Sequence, residues 1–166
     1  LMSDEVLIVG GGIGGLTLAA ALQQRKIQFE LVERAAAWAP VGAGIVLGLN
    51  AMKVIGRVGV ASAVAKRGIE VGVGRITNAA GRSLSEIDFK SLPNEMGRAY
   101  ALHRAALHEA LLTAVDPAAI RLKTTVKSIE QTSSRASVLL SDGTTGDFDA
   151  VIGADGIRSM VRWLTF

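Results

Sequence analysis

Apolar and polar positions change their period several times along the chain, and each change marks an element. "VLIV" (6–9) is an unbroken apolar run of strand length, ended by Gly10. From 14 to about 24 the period becomes helical, with Leu16, Ala20 and Leu22 among many small residues. "IQFELVER" (27–34) alternates apolar with polar and predicts a second strand. Strand, glycine turn, helix and strand make a βαβ unit, whose right-handed crossover leaves the strands parallel.

Downstream the pattern is less regular. "WAPVGAGIVLGLN" (38–50) predicts a glycine-punctuated loop and a short strand, then a helix over 51–58 with Asn50 as its N-cap. "VASAVAKRG" (60–68) predicts another short helix, stopped by Gly68. Residues 69–89 predict a hairpin turning at 78–81. Over 102–115, Leu107, Leu111 and Leu112 share one helical face, and Pro117 is expected to end that helix. "IRLKTTVKSIEQ", "ASVLLSD" and "DFDAVIGADG" predict three more strands, the last two joined around Asp142-Gly143. The expected class is α/β, with a central parallel sheet, helices on both its faces, and a small antiparallel sheet from residues 119–147.

Composition narrows the choices. The 166 residues fit one domain, 1–166, and 49% hydrophobic against 20% charged residues supports a packed core rather than a disordered chain. A net charge of +3 without a dense Lys/Arg run gives no nucleic-acid footprint. Cysteine is absent, which removes disulfides and thiolate chemistry and fits a reducing, cytoplasmic setting. No run of about 18 residues stays apolar without a charge or glycine, so no membrane span is expected. His103 and His108, the only two histidines, have no companions at metal-ligand spacing, and no Ser/His/Asp order suggests hydrolysis. Trp38 and Trp163 are expected to be apolar anchors.

The candidate chemistry lies where the first strand meets the first helix. Gly10-x-Gly12-x-x-Gly15 has the spacing that gives a tight turn, a close approach for a pyrophosphate, and close packing of helix on strand. The helix N-terminus then offers unpaired N–H groups and the positive end of its dipole to an anion. Glu33, eighteen residues after Gly15, stands at the end of the second strand, where a carboxylate accepts from both ribose hydroxyls. It would repel a 2′-phosphate, which disfavours NADP at this site. The spacing predicts a dinucleotide, but does not by itself separate FAD from NAD.

Other segments speak to that choice. "VGGGIGGLTLAAAL" with "LVER", "VGAGIVLGLNAMKVIGRVGV" (41–60), "LHRAALHEALL" (102–112) and "DAVIGADGIRSMVR" (149–162) together resemble the N-terminal part of the FAD-dependent aromatic-ring monooxygenases, the salicylate and hydroxybenzoate hydroxylase-like flavoproteins. The resemblance implies a Rossmann-like FAD-binding domain that is a fragment of a larger two-domain fold. It implies FAD contacts from Gly10, Gly12, Ile13, Gly14, Gly15, Glu33, Arg34, Gly44, Arg104, Val126 and Asp155, with NAD(P)H as co-substrate and a small aromatic substrate.

The residues read by themselves leave alternatives open. Gly42 and Gly44 fit a flat ring passing the main chain or an ordinary turn. Arg104 fits a phosphate contact or a surface arginine, Val126 is a core strand residue, and Asp155 is a helix N-cap. The resemblance adds that Asp155, with Arg158 and Arg162 near it, serves both the FAD pyrophosphate and the approach of NAD(P)H.

This chain departs from the family in two ways. Some such hydroxylases carry a catalytic His just after the Gly-Ala-Gly-Ile segment, where this chain has Val46, so no catalytic residue is named. The substrate domain and the second flavin motif of the family are absent from the 166 residues, so this chain alone is expected to be inactive, with uncovered surface prone to self-association. Alternatives are another FAD oxidoreductase such as an epoxidase or amine oxidase, an NAD-dependent dehydrogenase, and a non-catalytic nucleotide-binding module or subunit.

Overall fold

The computed structural model describes residues 5–39, 42–93 and 97–166. The chain divides into two compact units, Leu1–Pro40 with Leu111–Phe166 and, separately, Val41–Ala110.

The first unit is built on a parallel sheet. Strand β1 (Glu5–Val9) leads through a glycine turn into α1 (Ile13–Gln24) and returns as β2 (Gln28–Val32). β1 and β2 pair in parallel with Leu7 opposite Glu30 and Ile8 opposite Leu31, as a right-handed βαβ unit requires. α1 packs on this pair and buries Gly15, Leu16, Ala19 and Ala20.

Because strand side chains alternate, Leu7, Val9 and Val32 point to the other face. That face is covered by a three-stranded antiparallel sheet of β9 (Val126–Gln131), β10 (Ala136–Leu140) and β11 (Thr145–Phe148). Val126, Val138, Leu140 and Phe148 from this sheet meet Leu7, Val9 and Val32 in one core, joined by Val161 of α5 (Met160–Thr165). Burying such a side chain fully stabilises by about 1.5–3 kcal/mol. Helices on both faces were expected; among the described residues the core on this second face is formed by the antiparallel sheet and the short α5.

Two strands expected from the sequence divide differently. Residues 147–156, expected as one strand, do not run as one. β11 ends at Phe148, and β12 (Ala150–Gly153) joins the parallel sheet beside β1. Asp149 makes the switch: its N–H donates to the Glu5 carbonyl at 2.9 Å, and its carboxylate accepts from the Glu5 N–H at 2.8 Å. Similarly β8 (Ile120–Arg121) pairs in parallel with β2 rather than belonging to the antiparallel sheet, giving the order β12-β1-β2-β8. Arg121 then ties the layers together, with Nε 2.9 Å from Glu30 and Nη1 3.2 Å from Asp142 in the β10–β11 turn.

The second unit carries β3 (Gly44–Leu47), α2 (Leu49–Arg57), α3 (Ala61–Arg67) and β4 (Ile69–Glu70). It continues with the hairpin β5 (Val73–Thr77) and β6 (Ser83–Asp88), then β7 (Tyr100–His103) and α4 (Arg104–Leu112) as far as Ala110, the last two residues of α4 counting with the first unit. The hairpin turns where expected, with the Asn78 side chain accepting from the N–H groups of Ala80 and Arg82. α2 is capped by Gly48 without a side-chain bond, not by Asn50. Residues 100–103 form a strand because they pair with β3, so α4 starts later than the apolar periodicity suggests. α4 also ends before Pro117, which opens a separate 3-10 turn capped by Asp116.

Candidate functional site

The glycine turn is fixed from three sides. The Gly10 N–H donates to the Val32 carbonyl at 2.8 Å, and the Ala154 N–H donates to the Val9 carbonyl at 2.7 Å. Gly10 has φ +110°, and a Cβ there would lie 2.6 Å from the Ala154 carbonyl oxygen. A Cβ at Gly15 would drive into the Gly10 carbonyl oxygen, so this glycine lets α1 lie directly on the turn. Gly12 and Gly14 are different: nothing of the described chain lies within 4 Å of a Cβ added at either. Gly12 is the N-cap of α1 and supplies no side-chain cap, and no acidic residue occupies the first turn. The first N–H groups of the helix, beginning with Ile13, thus face outward with the positive end of the dipole.

Glu33 lies one residue beyond the end of β2, beside this turn. Its Oε2 accepts from the Gly11 N–H at 2.7 Å and its Oε1 from the Ala35 N–H at 2.8 Å. An ionised carboxylate has about four acceptor positions, so two remain for hydroxyl donors. The strand end is held by the loop before β9, where the Thr124 N–H donates to the Glu33 carbonyl at 3.0 Å. Val126 follows two residues later with its side chain in the core. Arg34 is exposed.

Asp155 follows β12 and reaches the same turn, since a Cβ at Gly10 would stand 2.8 Å from the Asp155 Cα. Its Oδ2 accepts from the N–H groups of Met160 at 2.5 Å and Val161 at 3.2 Å. The N-cap residue of α5 is Ser159, whose hydroxyl accepts from the Arg162 N–H, so Asp155 supports the helix from outside rather than as its N-cap. Burial pushes the Asp155 carboxyl up, but hydrogen bonds from the Ser159 side chain and from the Val161 and Met160 N–H groups outweigh it and hold the group below its ordinary value. Its Oδ1 is buried with no hydrogen-bond partner among the described residues. Arg158 is exposed, and Arg162 donates to the Ile157 carbonyl at 2.9 Å.

In the second unit, Gly44 pairs with His103 across β3 and β7, and Arg104 opens α4 with its N–H on the Ala43 carbonyl at 3.1 Å. Arg104 is exposed and opens a helix, where a cation opposes the dipole. Val46 is 63% exposed on β3. The structure thus gathers Gly10, Gly12, Ile13, Gly14, Gly15, Glu33 and Asp155 around one turn, while Gly44 and Arg104 adjoin each other in the second unit. Pro40 and Val41 of the expected loop lie outside the described residues.

Sequence reasoning missed the two backbone donors on Glu33 and the place of Trp38. The Trp38 ring lies against Gly11, whereas Trp163, also expected as an anchor, is 81% exposed. Among the described residues no group of His, Asp or Glu could hold a metal ion, and no helix is long and apolar enough to cross a membrane.

Comparison with known proteins gives the family. Residues 3–164 match the family model described as an FAD binding domain. Aurachin C monooxygenase/isomerase of Stigmatella aurantiaca is 39% identical over 158 residues, 95% of this chain and 41% of its own length. A 3-amino-4-hydroxybenzoate 2-monooxygenase of Streptomyces cremeus is 32% identical over 161 residues, covering 95% of this chain and 41% of its own length. Among solved structures, tetracycline destructase Tet(51) superposes with a TM-score of 0.77 at 26% identity, over 99% of this chain and 42% of its own. Klebsiella pneumoniae HpxO complexed with FAD and uric acid shares the fold, with a TM-score of 0.80 at 23% identity over 96% of this chain and 41% of its own. The chain spans about two fifths of the length of these relatives. It belongs to the FAD binding domain family of the flavin-dependent monooxygenases.

Proposed function

We propose that this chain is the FAD-holding portion of an NAD(P)H-dependent monooxygenase that hydroxylates a small aromatic compound. The observation that carries the proposal is the uncapped N-terminus of α1, with open space around Gly12 and Gly14 and the Glu33 carboxylate beside it. Glycines at which an added side chain would collide with none of the described residues leave room for something else. A diphosphate fits, because it needs both the space and the N–H groups.

In this reading residues 1–166 form the FAD-binding domain, and a substrate domain accompanies it in the whole protein. Gly10 and Gly15 shape the turn, while the N–H groups of Gly12, Ile13 and Gly14 hold the pyrophosphate. Glu33 accepts from the adenosine ribose, and Arg34 flanks the adenosine. Val126 offers its backbone to the adenine, Asp155 supports the pyrophosphate side, and Arg104 adds a cation beside Gly44. Bound FAD supplies the hydride acceptor for NAD(P)H and the means of activating O2. The residues of this chain position and shield that cofactor. Its small aromatic substrate is bound by the rest of the protein; the related 3-amino-4-hydroxybenzoate 2-monooxygenase of Streptomyces cremeus supports that substrate class.

The test is an FAD titration of the purified chain followed by flavin fluorescence, repeated with Glu33→Ala. Saturable binding that is lost in the variant supports the reading. No binding by a chain that circular dichroism shows to be folded refutes it.

A further inference from the structure

Trp38 stands in the loop after β2, five residues beyond Glu33, and is the single large side chain in "AAAWA" (35–39). Its half-buried ring rests on the main chain of Gly11. A Cβ added at Gly11 would stand 2.5 Å from Trp38 Cη2, 2.8 Å from Cζ3, and 3.2 Å from the Glu33 Cβ. The edge of the indole, the Gly11 backbone and the stem of Glu33 therefore form one contact. Within it lies the hydrogen bond from the Gly11 N–H to Glu33 Oε2 at 2.7 Å. An aromatic ring beside such a bond keeps water from it, and a bond in lower dielectric is electrostatically stronger.

We infer that Trp38 is a positioning residue for the nucleotide: its ring holds Gly11 against Glu33 and thereby fixes the carboxylate that receives the ribose. This rests on the reading of the glycine turn as the FAD site. It also makes Trp38 a built-in reporter, because the indole touches the turn that the nucleotide approaches.

The chain has two tryptophans, so in Trp163→Phe all indole emission comes from Trp38. ADP is titrated into this 166-residue variant while indole emission is followed. FAD affinity is measured by flavin fluorescence in Trp38→Ala and Trp38→Phe. ADP is expected to change the Trp38 emission saturably. Trp38→Ala is expected to weaken ADP and FAD about threefold to tenfold, the scale of one aromatic contact, with Trp38→Phe recovering most of the loss. Gly11→Ala, whose methyl group collides with the ring, is expected to lose less affinity in a Trp38→Ala background than in the wild type. If ADP binds while Trp38 emission stays constant and Trp38→Ala binds like the wild type, the inference is overturned and the FAD site stands. If neither ADP nor FAD binds the folded Trp163→Phe chain, the FAD reading fails and takes the inference with it. A Trp38→Ala chain that does not fold leaves the emission titration to decide, since that measurement keeps Trp38 intact.

Discussion

Gly15→Ala and Gly14→Ala place the same methyl group on neighbouring residues of α1, and the structure assigns them opposite signs. At Gly15 the new Cβ would overlap the Gly10 carbonyl oxygen and stand 3.4 Å from the Ala154 Cβ. The obstacle is backbone, so relief requires α1 to move off β1. Overpacking of this kind costs about 1–3 kcal/mol, and an immovable partner places it at the upper end. Replacing glycine by alanine in a helix returns up to about 1 kcal/mol, leaving a net loss of about 2 kcal/mol. For a chain of this length that is a fall of about 4–8 °C in Tm. At Gly14, exposed and with nothing of the described chain within 4 Å, only the helix gain remains, a few tenths to about 1 kcal/mol of added stability. FAD affinity reverses the advantage, because the Gly14 methyl group enters the space assigned to the pyrophosphate. Urea unfolding at 222 nm gives the stabilities and flavin fluorescence the affinities. A Gly15→Ala chain as stable as the wild type would refute the close packing of α1 on the turn. A Gly14→Ala chain that binds FAD as tightly as the wild type would refute the placement of the phosphates.

Further outcomes follow from other contacts. Glu33→Ala removes the two hydrogen bonds that the carboxylate accepts from the Gly11 and Ala35 N–H groups, a loss of about 1–3 kcal/mol in total, measurable as a lower urea midpoint without FAD. The Asp155 carboxyl titrates below its ordinary value of 3.8, so the stability it contributes is complete above that pH and disappears as pH falls through its folded value. The stability gap between the wild type and Asp155→Asn is therefore expected to be full at neutral pH and to close in acid; a gap that widens in acid reverses the sign and rejects the support that Asp155 gives the Met160 and Val161 N–H groups. Arg121→Ala unties β8 from Glu30 and Asp142 and is expected to cost about 1 kcal/mol, since both ion pairs are partly solvated, and less in 1 M salt. Exposed Val46, Ile69, Val73, Ile76, Leu84 and Ile87 on the second unit predict concentration-dependent self-association, which sedimentation velocity tests against a constant monomer.

The sequence made the βαβ unit legible because its signals are local: an apolar run, a glycine turn, a helical period and an alternating strand. The β5–β6 hairpin was legible for the same reason, with Asn78 supplying its own turn bonds. Elements chosen by distant partners were not. Nothing near residue 149 says that one strand ends and another begins. The break exists because Asp149 bonds Glu5 and draws the chain across to β1. Residues 102 and 103 fall within the helix expected over 102–115, yet they become strand because β3 is available to pair with them. The candidate site divides in the same way. Its glycines and Glu33 follow a spacing, whereas the ring of Trp38 on Gly11 is a packing contact that no motif encodes.

Even the legible part of the site is not locally made. Gly10 must be glycine because Ala154 and Asp155 press against it, and Gly15 because Gly10, held there, leaves no room. The pressure arrives from the far end of the chain, through β12 lying beside β1 and the Ala154 N–H bonding the Val9 carbonyl. Glu33 depends likewise on Arg121 and Thr124, whose backbone bonds hold the end of β2. A fragment containing the whole glycine fingerprint and Glu33 but stopping before residue 111 lacks every one of those supports. Such a fragment has the glycines and Glu33 of the proposed FAD cradle without the contacts that shape it. FAD binding by residues 1–166 is therefore expected to depend on residues 111–166 closing the sheet, and urea is expected to abolish FAD binding and the sheet's far-UV signal together; binding that survives loss of that signal would refute the dependence.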